Sequence, residues 1–97
     1  MGPALYMPML RITQVSLTAS VATLKVEGRV AAAWVQVLED ECQRHRNAGR
    51  DVQLDFTEVS MVDCDGVAML RRLTRSRVEI VKASPLIRAL LAEEECR

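Results

Sequence analysis

Val52-Gln53-Leu54-Asp55-Phe56-Thr57-Glu58-Val59-Ser60-Met61-Val62-Asp63-Cys64-Asp65-Gly66-Val67-Ala68-Met69-Leu70 changes its period as it runs. Val52, Leu54 and Phe56 alternate with polar neighbours, which is the pattern of a strand with one buried face. Val67, Leu70 and then Leu73 or Thr74 recur at helical spacing instead. Between the two patterns stands the turn Asp63-Cys64-Asp65-Gly66. Asp63 and Asp65 open the helix, and Arg71, Arg72 and Arg75 lie toward its end, so both ends suit the helix dipole. A strand therefore leads through an acidic turn into a helix.

Working outward, Leu10 and Ile12, then Ala22, Leu24 and Val26, alternate with polar residues and predict two strands joined by a hairpin over Ser16–Ser20. Gly28 ends the second. From Ala31 the period becomes helical: Trp34, Leu38, Cys42 and His45 share a face, with Glu39, Asp40, Gln43 and Arg44 opposite. Asp40 and Arg44 are spaced for a helical ion pair. Asn47-Ala48-Gly49 supplies the stop, with Gly49 able to take a positive φ. After the central segment, Val78–Val81 reads as a short buried strand. Ser84-Pro85 reads as an N-cap with proline at the first helical position, and Ile87, Leu90 and Leu91 form that helix's apolar face. Glu93, Glu94 and Glu95 oppose the dipole there, so the end is expected to fray. The sum is an α/β order, β-β-α-β-α-β-α, with a mixed, largely parallel sheet formed by right-handed crossovers. Residues 9–95 form the expected domain and 1–8 an N-terminal extension.

With 97 residues, 49 % hydrophobic and 27 % charged, the chain has the composition of one folded domain. Thirteen basic and thirteen acidic side chains cancel. Bulk charge draws it to neither nucleic acid nor an anionic membrane, and aromatic residues at 3 % give bases nothing to stack on. No apolar run is long enough to span a bilayer and no signal peptide is present, so a cytoplasmic protein is expected. Cys42, Cys64 and Cys96 are an odd number without a CxxC motif or a histidine cluster. Neither a disulfide framework nor a metal site is expected, and no cofactor is implied.

The Val52–Leu70 stretch resembles the signature of the STAS domain family. There a buried strand ends in Leu-Asp, crosses a short loop, and enters a helix through Asp-Ser-Ser-Gly or Asp-Thr-Ala-Gly. Leu24–Val30 is similar to the family's strand ending in Gly-Glu-Leu, and Val78–Ile87 to its last strand and last helix start. The resemblance covers roughly residues 9–95. It implies a non-catalytic protein-interaction module in bacterial regulation, similar to anti-sigma factor antagonists whose partner is a histidine-kinase-like ATPase. In those antagonists the serine after the aspartate is phosphorylated, and a charge of about −1.5 to −2 at the helix start breaks the complex. Family members also include small accessory subunits of ABC-type lipid transporters, which bind the transporter ATPase, and this is the alternative reading.

Carried over to this chain, the resemblance places the partner contact at Ser60, Met61, Asp63, Cys64, Asp65, Gly66, Val67, Met69 and Arg71. Cys64 occupies the phosphoacceptor position, which a serine/threonine kinase cannot use. Ala31 stands where many antagonists have an aspartate. The expected consequence is binding without the usual phospho-switch, with Ser60 and Thr57 as the remaining hydroxyls to test. A reading of another class makes Cys64 a reactive thiol, in a redox sensor or thiol enzyme. Helix starts favour thiolates, but Asp63 and Asp65 oppose ionisation by like charge. His45 is expected as a C-terminal cation partner or core-edge residue, and Trp34 as core. Arg71, Arg72, Arg75 and Arg77 form a basic cluster that either is simply solvated or reads an acidic partner surface. Neither nucleic acid nor direct membrane insertion is expected, and the sequence does not fix the oligomeric state.

Overall fold

A computed structural model describes the backbone of residues 4–6 and the whole of residues 10–92. The elements follow as β1 (Ala4–Tyr6), β2 (Leu10–Leu17), β3 (Val21–Val30), α1 (Trp34–Asn47), β4 (Asp51–Val62), α2 (Cys64–Thr74), β5 (Val78–Ala83) and α3 (Pro85–Ala92). The order from β2 onward is the β-β-α-β-α-β-α read from the sequence. The strands form one sheet in the order β1-β2-β3-β4-β5. β1 and β2, and β2 and β3, pair antiparallel. The β3–β4 and β4–β5 pairs, each bridged by a helix, are parallel. The expected fraying over Glu93–Glu95 lies outside the described residues.

Period-two alternation explains why the sheet has one buried face. Ala22, Leu24 and Val26 on β3 and Val52, Leu54 and Phe56 on β4 are almost fully buried, together with Leu10 and Ile12 of β2. Leu38 and Cys42 of α1, Leu70 and Leu73 of α2 and Ile87 of α3 complete the same cluster. The intervening residues form a polar face, where the Thr23 hydroxyl donates to Gln53 Oε1 at 3.3 Å and Glu27 lies 3.8 Å from both Arg11 and Lys25. Trp34 is half-buried and packs against the core.

β4 departs from the sequence reading in a way that shapes the site. The short loop expected after Phe56 is strand as far as Val62. Its buried positions are spaced by two up to Phe56 and then by three, at Val59 and Val62. The register explains the change: Lys25↔Asp55 is followed by Glu27↔Glu58, and Gly28↔Val59 by Arg29↔Met61. At each shift β4 takes in one extra residue, and such bulges twist a strand and re-aim its side chains. Alternation is lost without loss of the strand.

Two helix features are local confirmations. Gly49 has φ of 81° after α1, and the Ser84 hydroxyl accepts from Ile87 N–H at 3.3 Å at the start of α3. The expected Asp40–Arg44 pair does not form. Arg44 reaches Glu41, three residues back, while Asp40 accepts from the Gln36 amide at 2.7 Å. Either spacing places two side chains together on a helix, and Glu41 is the nearer partner.

Candidate functional site

The carboxyl ends of β3 and β4 meet at the turn, and Asp63 joins the two chains there. Its N–H donates to the Val30 carbonyl at 3.1 Å, and its own carbonyl accepts from Val67 N–H at 2.8 Å. One carboxylate oxygen, Oδ1, accepts from Gly66 N–H at 2.7 Å, which caps α2. The other, Oδ2, accepts from Ala32 N–H at 2.9 Å, in the loop ahead of α1. A side chain that serves two backbone donors in this way fixes both loops at once. Gly66 allows the approach. A Cβ there would lie 2.7 Å from the Val30 carbonyl oxygen and 2.7 Å from Val62 Cγ1, distances no ordinary contact tolerates.

The expected contact residues divide by burial. Ser60, Met61, Cys64 and Asp65 are exposed, Met61 to 41 %. Asp63 and Arg71 are half-buried, and Gly66, Val67 and Met69 are buried beneath the turn. The buried residues hold the face in place from below. Arg71 reaches the Leu91 carbonyl at 3.4 Å, tying α2 to α3. The two hydroxyls are engaged: Ser60 donates to the Gly28 carbonyl at 3.2 Å, and Thr57 donates to Asp55 Oδ1 at 2.6 Å. The Thr57 hydroxyl, with a second bond from its own N–H, holds the Asp55 carboxyl below the usual carboxylate range against the opposing effect of burial.

Sequence reading missed the α1 side of this face. A groove of about 300 Å³ runs between the starts of α1 and α2, lined by Ala32, Gln36, Glu39, Asp65, Ala68 and Arg72 among others. Arg72 pairs with Glu39 across it at 3.3 Å. Ala32 and Ala33 are exposed, and Ala32 has φ of 54°, a conformation that costs an L-residue roughly 1–2 kcal/mol. Alanine carries no signal of such a backbone, so this part was not legible. The four arginines expected as one cluster do not share a surface, since Arg72 faces Glu39 and Arg77 pairs with Asp51 at 3.1 Å.

The cysteines require a correction. Cys64 is disulfide-bonded, contrary to the expectation that no disulfide would form, and so offers no free thiolate for a redox or nucleophilic role in this state. Cys42 is free but buried, and burial followed by Glu41 and Glu39 pushes its thiol up to about 12. The structure decides between the two expectations for His45. Of its two expected roles it takes the core one, as a buried side chain with Glu41 3.4 Å from Nε2 and Arg50 3.5 Å from Nδ1. Burial first, then the neighbouring Arg44, lowers its pKa, against the pull of Glu41. Among the described residues, no three His, Cys, Asp or Glu side chains gather to hold a metal, and no helix is long and apolar enough to cross a membrane.

Comparison with known proteins agrees with this geometry. The sequence model of the family described as "Mlab, STAS domain" matches residues 13–93. Among solved structures, the anti-sigma factor antagonist SpoIIAA in its unphosphorylated form superposes with a TM-score of 0.61 at 17 % identity, over 81 % of this chain and 79 % of that one. At that identity the likeness is one of fold. No curated protein sequence matches.

Proposed function

The chain belongs to the STAS domain family, and from that premise we propose that it is a non-catalytic regulatory module that binds a protein partner through the exposed face around Cys64 and Asp65. The observation that carries this reading is the construction of that face. Asp63 and Gly66 spend their chemistry on holding the turn rigid, while Met61, Cys64, Asp65 and Ala68 are left outward. A preorganised face loses little freedom on binding. The partner we propose is a histidine-kinase-like ATPase of the anti-sigma type, engaged in the bacterial cytoplasm, without the usual serine phospho-switch. The acceptor position holds Cys64, which offers no hydroxyl, and Ala31 brings no carboxylate beside it.

The same observation favours a second reading. A subunit that stays bound to a transporter ATPase needs no phospho-switch, so the loss of the acceptor hydroxyl fits a permanent accessory subunit of an ABC-type lipid transporter.

Affinity capture from the source organism with the full chain, followed by identification of the ATPase, separates the two readings. Mass spectrometry after incubation of that ATPase with ATP tests the missing switch. No phosphate on Ser60 or Thr57 is the expected result, and stoichiometric phosphate on either overturns it.

A further inference from the structure

The end of the molecule remote from the turn carries a second surface. There the β2–β3 hairpin, the α1–β4 loop and the α2–β5 turn are joined by consecutive contacts. Arg50 Nε donates to the Thr18 carbonyl at 3.1 Å, and Arg46 donates to the Arg50 carbonyl at 2.9 Å. Arg46 and Arg77 then flank Asp51 at 3.6 and 3.1 Å. Arg75, two residues before Arg77, is exposed.

Among the described residues, this end brings Arg46, Arg50, Arg75 and Arg77 together against Asp51 and Glu79. One carboxylate is shared by two guanidiniums, so positive charge is left over even though the chain as a whole is neutral. The carboxyl ends of the parallel strands are mixed instead: Glu39 pairs with Arg72, Asp65 lines the same groove, and Glu58 and Arg29 are both exposed. Apolar side chains adjoin the basic end. Leu17 is 44 % exposed and Val15 58 % exposed on the last stretch of β2, next to the hairpin that Arg50 holds.

Basic side chains beside outward apolar ones are what hold a protein on an anionic bilayer, the first drawn to the headgroups and the second entering their boundary. We propose that this end docks on a membrane surface bearing anionic phospholipid, with the Asp63–Gly66 turn left at the opposite end for the protein partner. Charge alone would equally suit an acidic protein. The exposed Leu17 and Val15 beside the hairpin favour the bilayer.

Co-sedimentation of the full chain with vesicles tests this without the protein partner. At low salt the chain should sediment with vesicles of equal parts phosphatidylcholine and phosphatidylglycerol, but not with phosphatidylcholine alone. Arg75→Glu should weaken binding about tenfold or more, since each basic group near such a surface counts separately. Leu17→Ser should weaken it at constant charge. Arg29→Glu, the same charge change at the other end, should leave binding in place. The proposal is overturned by no sedimentation with anionic vesicles, or by equal sedimentation with neutral ones. It is equally overturned if Arg29→Glu does as much harm as Arg75→Glu, if Leu17→Ser changes nothing, or if the chain binds soluble poly-glutamate but no vesicle.

Discussion

Helices α1 and α2 border the same face but begin in different ways. α2 starts behind Asp63, whose side chain caps it, and has Asp65 in its first turn. α1 starts behind Ala31-Ala32-Ala33, with no side-chain cap and no acidic residue in its first turn. Its first N–H groups are served by short backbone bonds, Trp34 to Ala31 and Val35 to Ala32, with Ala32 in the left-handed region. The uncapped start leans on the capped one, because the Ala32 N–H is held by Asp63. One residue therefore organises both sides of the groove, and its carboxylate holds the N–H of the left-handed residue ahead of α1.

Gly66 should be the most sensitive position. Gly66→Ala sets a methyl group against a backbone oxygen that cannot rotate away, and a loss of about 2–3 kcal/mol is expected by urea denaturation. Asp63→Ala should cost about 2 kcal/mol, through the lost cap and the lost bond to Ala32. Asp63→Asn sharpens the comparison. Its amide oxygen can still cap α2, but its NH₂ would meet the Ala32 N–H donor to donor. Amide resonances of the Ala31–Ala33 loop should then shift while those of the first turn of α2 stay near their positions.

The other ends of the helices contrast too. α2 closes with exposed Arg72, whereas α1 closes on buried His45. A histidine whose pKa is lowered by folding is stabilising only while neutral. Its contribution is intact above the unfolded value of about 6.5 and declines as the pH falls through that value toward the folded pKa. Denaturation midpoints should drop over that range, and His45→Gln should flatten the drop. Asp55, also lowered, contributes while ionised, and that contribution is lost only in more acidic solution, as the pH falls below its unfolded value of about 3.8. The smallest effect is expected at Ala32, where Ala32→Gly relieves the left-handed backbone but adds freedom to the unfolded chain. A net gain of about 0.5 kcal/mol should appear as a small rise in midpoint.

These positions also mark what the sequence could tell. Alternation at Val52, Leu54 and Phe56, the helical spacing from Trp34 and the Ser84-Pro85 start were legible because each reports a regular period or a fixed cap. The later half of β4 was not, since two bulges turn its period from two to three and make strand look like loop. Asp63 could be read as a cap but not as a tie to α1, because that bond spans thirty-one positions of sequence. His45 stood on the apolar stripe, and its burial followed from that stripe more than from its place near a helix end. Cys64 was misread because spacing alone does not reveal a disulfide.

The Cys64–Asp65 face is the surface proposed to meet the protein partner. A photo-crosslinking residue at position 68, between the two helix starts, and another at position 79, on the edge strand β5, test it in the source cells. A single ATPase crosslinked from position 68 and not from 79 is the expected result. Crosslinking of the same partner from both positions, or from 79 alone, would contradict it.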